Sequence, residues 1–112
     1  MKIYHNPRCR KSRDTLQILK ESGIEPEIID YLKNAPEVKE LNDILEKLQI
    51  SPEQLVRKGE KLYKEQFKGR TISDQEWLQI LSSNPVLIER PIVIAGEKAV
   101  IGRPPENVKK LL

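Results

Sequence analysis

One cysteine stands in this chain, and cations surround it. Cys9 follows the turn-forming pair Asn6-Pro7 and is flanked by Arg8, Arg10, Lys11 and Arg13. The thiolate is the reactive form of cysteine, and a free thiol titrates near ~8.5. Three features should lower that value. Cys9 opens a helical run, so the helix dipole favours a negative sulfur. The four cationic side chains lie close by in sequence. Backbone N–H groups at a helix start can donate to the sulfur or to a bound anion. The segment Asn6 to Arg13 therefore reads as an anion-binding loop that carries a nucleophile. The alternative is a small buried core cysteine, and the flanking Arg8 and Arg10 argue against burial.

The other chemistry-bearing residues are open to two readings each. His5, four residues before Cys9, is either a partner that stabilises or deprotonates the thiolate or a strand-end histidine satisfied by backbone. Arg90 separates Val86-Leu87-Ile88 from Pro91-Ile92-Val93-Ile94, so it either snorkels or is held for an anion. Arg103 sits between Gly102 and two prolines, a stiff position suited to a site. Arg57 follows Leu55-Val56, where interaction with a helix C-terminus is an equal reading. A solvated surface arginine is the plainer account of each of these three. With one His and one Cys there is no metal-ligand cluster, no CxxC pair and no glycine-rich phosphate loop.

The elements that must position these residues follow from the pattern. Lys2 to Tyr4 reads as a short first strand. A helix runs from Cys9 with Leu16 and Leu19 on one side, and Gly23 stops it. Ile28-Ile29, continuing into Tyr31-Leu32, reads as a second strand, which completes a βαβ unit. Pro36 opens a helix with Val38, Leu41, Leu45 and Leu48 on one face. Ser51-Pro52-Glu53-Gln54 starts a short helix carrying Leu55 and Val56. Leu62 to Phe67 adds one or two turns, and Ser73 with Glu76 caps a helix that buries Trp77 and Leu81. Ile92-Val93-Ile94 and Ala99-Val100-Ile101 flank the turn Ala95-Gly96-Glu97 as a β-hairpin. A last helix carries Val108, Leu111 and Leu112. This order predicts an α/β chain with a thioredoxin-like layout, βαβ then ββα, as one domain over residues 1–112 with a helical insert at 33–84.

The bulk numbers agree with one small domain. The chain has 112 residues, of which 38% are hydrophobic and 33% charged, enough for a single core. Twenty basic against 17 acidic residues give a formal charge of +3. Both signs are spread along the chain, which argues against a nucleic-acid partner. No apolar run approaches the roughly 20 residues of a membrane span. Lys2, His5 and Arg8 interrupt any signal-like start. A lone cysteine cannot form an internal disulfide, so the expected compartment is the cytoplasm and the expected state a monomer.

The segment Tyr4-His5-Asn6-Pro7-Arg8-Cys9-Arg10-Lys11-Ser12-Arg13 resembles the active-site segment of the glutaredoxin-coupled arsenate reductases. So does Leu87-Ile88-Glu89-Arg90-Pro91-Ile92-Val93, with Gly102-Arg103-Pro104 after it, and Val56-Arg57-Lys58 stands where that family carries its first distant arginine. The similarity covers nearly the whole chain. It implies a thioredoxin-like fold with a helical insert and a cis bond between Arg90 and Pro91. It implies that Cys9 attacks arsenic in arsenate, that Arg57, Arg90 and Arg103 converge on the oxyanion, that His5 and Ser12 tune the thiolate, and that Arg13 supports the loop as part of the substrate-binding set. Glutathione, a co-substrate and not a bound cofactor, would attack the adduct. Glutaredoxin would regenerate the thiol as arsenite leaves. The position after Cys9 is usually small in this family, and Arg10 there would either crowd the loop or add an anion contact. Two alternatives share the fold. One is a thiol oxidoreductase acting on another oxyanion or on a glutathione mixed disulfide. The other is a non-catalytic regulator that binds RNA polymerase, often through a CxxC switch, where this chain has Cys9-Arg10-Lys11-Ser12.

Overall fold

Ile3 and Tyr4 are apolar, adjacent and buried, and they lie in strand β1, Lys2–His5. Asn6 and Pro7 end the strand in a turn. Helix α1 then runs Arg10–Glu21. Its C-terminus is closed by Gly23, whose φ of +79° is a conformation that side chains oppose. The Gly23 N–H bonds the Lys20 carbonyl and the Ile24 N–H bonds that of Leu19, which satisfies the last carbonyls of the helix. Strand β2, Glu27–Asp30, follows. Tyr31 and Leu32, expected to extend it, form a turn instead, in which the Lys33 and Asn34 N–H groups bond the Asp30 carbonyl. Strands β3, Ile92–Ala95, and β4, Lys98–Ile101, make the expected hairpin, with Gly96 at φ +61° in its two-residue turn.

The sheet order is β2-β1-β3-β4. β1 pairs parallel with β2 and antiparallel with β3, with Ile3 opposite Ile28 on one side and Val93 on the other. Ile3, Leu19, Val93 and Val108 form the fully buried centre, with Leu16, Ile18, Ile24, Val100 and Leu111 packed around it. Burying each of the four contributes about 1.5–3 kcal/mol. This is a thioredoxin-like α/β arrangement. The closing element differs in kind from the expected helix: Pro105–Leu111 is a 3₁₀-helix. Val108 and Leu111 both face the core at a spacing of three, which three residues per turn satisfies. The Asn107 side chain bonds the Ile101 and Arg103 carbonyls and anchors the turn.

The computed structural model describes residues 1–112 and resolves them into two compact units, Met1–Asn34 with Arg90–Leu112, and Ala35–Glu89. The second is helical. Helix α2, Val38–Leu48, buries Leu41, Ile44 and Leu45. The Ser51–Gln54 capping box is present, but it starts a 3₁₀-turn, Pro52–Leu55, and Val56 lies outside it. The β-branched Val56 instead forms an antiparallel bridge with Ile88. Helix α3 spans Lys61–Gln66 and helix α4 Asp74–Ser83, capped by Ser73 Oγ accepting from the Glu76 N–H. Trp77 stacks on Tyr63 and meets the Phe67 ring at a tilt. No helix is long and apolar enough to cross a membrane.

Candidate active site

Cys9 occupies the N-cap position of α1 with extended backbone, φ −93° and ψ 121°. The turn before it is closed by the Cys9 N–H on the Asn6 carbonyl at 3.0 Å, and the helix after it begins with the Arg13 N–H on the Cys9 carbonyl at 3.0 Å. The sulfur is thus aimed by backbone, and the first free N–H groups of the helix face it. Burial pushes the Cys9 thiol up. The Ser12 N–H, a hydrogen bond and the positive charge from Arg90, and the Lys11 N–H push it down and prevail, so it lies below the ordinary thiol value. The flanking cations read from the sequence are not among these causes; Arg8 and Arg10 are exposed. Arg10 reaches back to Asp14 at 3.8 Å on the helix surface, so it does not crowd the loop.

Arg13 donates from Nη1 to the Pro7 carbonyl at 3.0 Å and holds the loop from outside. His5 and Ser12 meet inside it. Nδ1 of His5 lies 2.6 Å from Ser12 Oγ, which also accepts from the Asn6 N–H at 3.0 Å. His5 therefore bonds Ser12, and it is the Ser12 backbone that serves the sulfur. Burial holds the His5 imidazole below its ordinary value, with Asp30 opposing and Arg13 and Lys20 assisting.

Asn6 was legible only as a turn residue, and the structure gives it three tasks. Its carbonyl accepts from Cys9, its N–H donates to Ser12, and its Oδ1 accepts from the Arg8 N–H at 3.0 Å. An asparagine two residues before a loop N–H is the sequence signal for such a side-chain turn.

Arg90 and Arg103 lie on two loops with the same local design, each followed by a cis bond to proline, at Pro91 and Pro104; of the two, Arg90 is the one that acts on the Cys9 sulfur. The first cis bond agrees with what the family resemblance implied; the second had no sequence signal. Arg90 Nε is buried without a hydrogen-bond partner. The Arg103 segment is tied to the Arg90 segment by the Gly102 N–H on the Pro91 carbonyl at 2.8 Å. Gly102 also presses on α1: a Cβ there would lie 2.5 Å from Thr15 Oγ1 and 2.8 Å from Pro91 Cγ. Thr15 is fully buried and donates to the Lys11 carbonyl at 2.8 Å, with Gly102 O at 3.5 Å. Both proline loops thus meet the helix that carries Cys9.

Arg57 belongs to the helical unit. The Val56–Ile88 bridge places it, with the Arg57 N–H on the Leu87 carbonyl at 2.7 Å. Its guanidinium contacts Glu89 at 3.2 Å and Glu60 at 3.7 Å and is 20% exposed. It is therefore not a helix-end cap. It is a half-buried cation held by carboxylates.

The profile of the ArsC family matches residues 4–111. Uncharacterized protein YfgD of Escherichia coli K12 is 47% identical over 100% of this chain and 96% of its own. An arsenate reductase of Haemophilus influenzae is 46% identical over 98% of this chain and 97% of its own. The solved structure of an arsenate reductase from Vibrio cholerae superposes with a TM-score of 0.95 at 42% identity, covering 99% of this chain and 96% of that one. With the profile spanning all but the ends of the chain and relatives aligned nearly end to end, the chain belongs to the ArsC family.

Proposed function

We propose that this protein reduces arsenate to arsenite, with Cys9 as nucleophile and glutathione and glutaredoxin as reductants. The observation that carries the reading is the Cys9 sulfur at the start of α1, served by the Ser12 and Lys11 N–H groups and by Arg90. A thiolate and an arsenate oxyanion repel each other. A cation and helix-start N–H groups offset both charges as the S–As bond forms. Arg90, Arg103 and Arg57 would hold the oxyanion, Arg13 would keep the loop in shape, and His5 with Ser12 would fix the N–H that faces sulfur.

The chain has a single cysteine, so the second half of the cycle needs outside thiols. Cys9 attacks arsenic, and one arsenate oxygen leaves as water. Two external thiols then become a disulfide, arsenic gains their two electrons, and arsenite departs as Cys9 returns. Glutathione supplies this chemistry in a reducing compartment such as the cytoplasm. The test is NADPH oxidation with arsenate, glutathione, glutaredoxin and glutathione reductase. Arsenate-dependent turnover should vanish in Cys9→Ser. Wild-type turnover no faster than that of the Ser variant would sink the assignment.

A further inference from the structure

Tyr31 follows β2 in a turn, and its phenol is an outlier in this fold. The side chain is 1% exposed, and Oη has no partner at hydrogen-bond geometry. Its place is fixed by the sheet: Asp30, just before it, pairs in register with His5 at the end of β1. The loop that leads to Cys9 starts there. The charges of Arg90, Cys9 and Asp30 all act on the phenol, and the Asn6 side chain acts on its oxygen as a hydrogen-bonding group from outside strict hydrogen-bond geometry, which leaves the O–H hydrogen without an acceptor. The Asn6 oxygen is engaged by the Arg8 N–H. Next to the nucleophile there are therefore two buried polar donors, Tyr31 O–H and Arg90 Nε–H, that no protein acceptor engages. Buried hydroxyls are ordinarily paired, because an unmade hydrogen bond is costly away from water.

We propose that Tyr31 is an oxyanion-binding residue, donating its hydroxyl hydrogen to the tetrahedral oxyanion held beside Cys9 and Arg90. This rests on the reading of the Cys9 loop as an anion site. A phenol suits the task because it adds a donor without a further charge, and an oxyanion has acceptor lone pairs to spare. Burial, with Cys9 and Asp30 assisting and Arg90 and the Asn6 side chain opposing, pushes the Tyr31 phenol up to about 12, so its proton stays in place where the thiolate is reactive.

The test is protection of Cys9 from alkylation by inorganic arsenate, which needs no turnover. Tyr31→Phe removes one oxygen and keeps the ring. The half-protecting arsenate concentration should rise about tenfold, the effect of one hydrogen bond to an anion. The rate without arsenate should stay within about twofold, a result that a general loosening of the loop would not give. Equal protection in wild type and Tyr31→Phe would overturn the proposal. A wild type that arsenate does not protect would overturn it together with the anion site. Normal protection with the tenfold gap, but no reductase turnover, would remove arsenate reduction and leave Tyr31 supported. Should the variant not fold, the wild type still decides. Its Tyr31 ring resonances should shift on titration with arsenate, and unmoved resonances would overturn the assignment.

Discussion

Nδ1 of His5 and Oγ of Ser12 lie 2.6 Å apart, both buried, at opposite ends of the loop that presents Cys9. The pair closes a seven-residue separation and takes in the Asn6 N–H as a third member. Replacing Ser12 by Ala leaves a buried ring nitrogen and a buried N–H unpaired. Stability should fall by about 1–3 kcal/mol. A lower urea midpoint at unchanged m would show it.

The same pair gives the fold a pH dependence. His5 titrates lower in the folded chain than its ordinary 6.5, chiefly through burial. The unfolded chain then binds a proton that the folded one refuses. Stability from this source is full above about pH 6.5 and declines as pH falls towards the lower folded value. In His5→Gln the loss over that window should shrink, as followed by urea midpoints from pH 7.5 down to 5. A variant whose midpoint drops as steeply as wild type would remove His5 as the cause.

Arg90 is, after the Ser12 N–H, one of the groups that hold the Cys9 thiol below its ordinary value. Plotting the Cys9 alkylation rate against pH should give a midpoint below that of a free thiol. The Ser12 and Lys11 N–H groups remain in Arg90→Gln, while a charge and a hydrogen bond to sulfur are lost. The midpoint should therefore move up, and alkylation near neutral pH should slow. An unchanged profile would mean that backbone donors alone activate the thiol.

Gly102 is where three segments touch, so even one added carbon should be felt. In Gly102→Ala the new methyl meets Thr15 Oγ1 and Pro91 Cγ within van der Waals radii. The expected cost is about 1–3 kcal/mol of stability. Arsenate protection of Cys9 should weaken as well, because the Arg90 and Arg103 segments must shift.

Arg57 tests whether the helical unit takes part. Its ion pairs with Glu60 and Glu89 are partly exposed and contribute under about 1 kcal/mol to stability. Removing a cation from a bound oxyanion costs more, about 1.5–3 kcal/mol for a hydrogen bond to a charged group. In Arg57→Ala the arsenate KM should rise roughly tenfold or more while the melting curve barely moves. An unchanged KM would confine the site to the sheet unit.

The periodic elements were legible because local rules govern them. Gly23 marked the end of α1, the capping residues Ser73 and Glu76 marked the start of α4, and a β-branched run before a tight turn marked the β3–β4 hairpin. Legibility failed where a distant partner decided. Val56 looked like the tail of a short helix, yet its pairing with Ile88 drew it into a bridge and fixed Arg57 beside Glu89. Pro105–Leu111 is a 3₁₀-helix in which Val108 and Leu111 both meet the core, and their spacing of three suits an α-helix equally, so the pattern did not separate the two.

The sequence by itself determined that this chain has one thiol, and that it opens a helix, because Asn6-Pro7 and the residues after Cys9 act locally on backbone. It also determined, by composition, that this sequence holds no second thiol. Only the tertiary structure decided what surrounds the sulfur. The neighbouring cations Arg8 and Arg10 face water, and the cation that acts is Arg90, about eighty residues away. Tyr31 carried no local mark at all. Its buried hydroxyl gains meaning from the strand pairing that sets it beside the loop, since electrostatics acts through space while sequence orders only the chain.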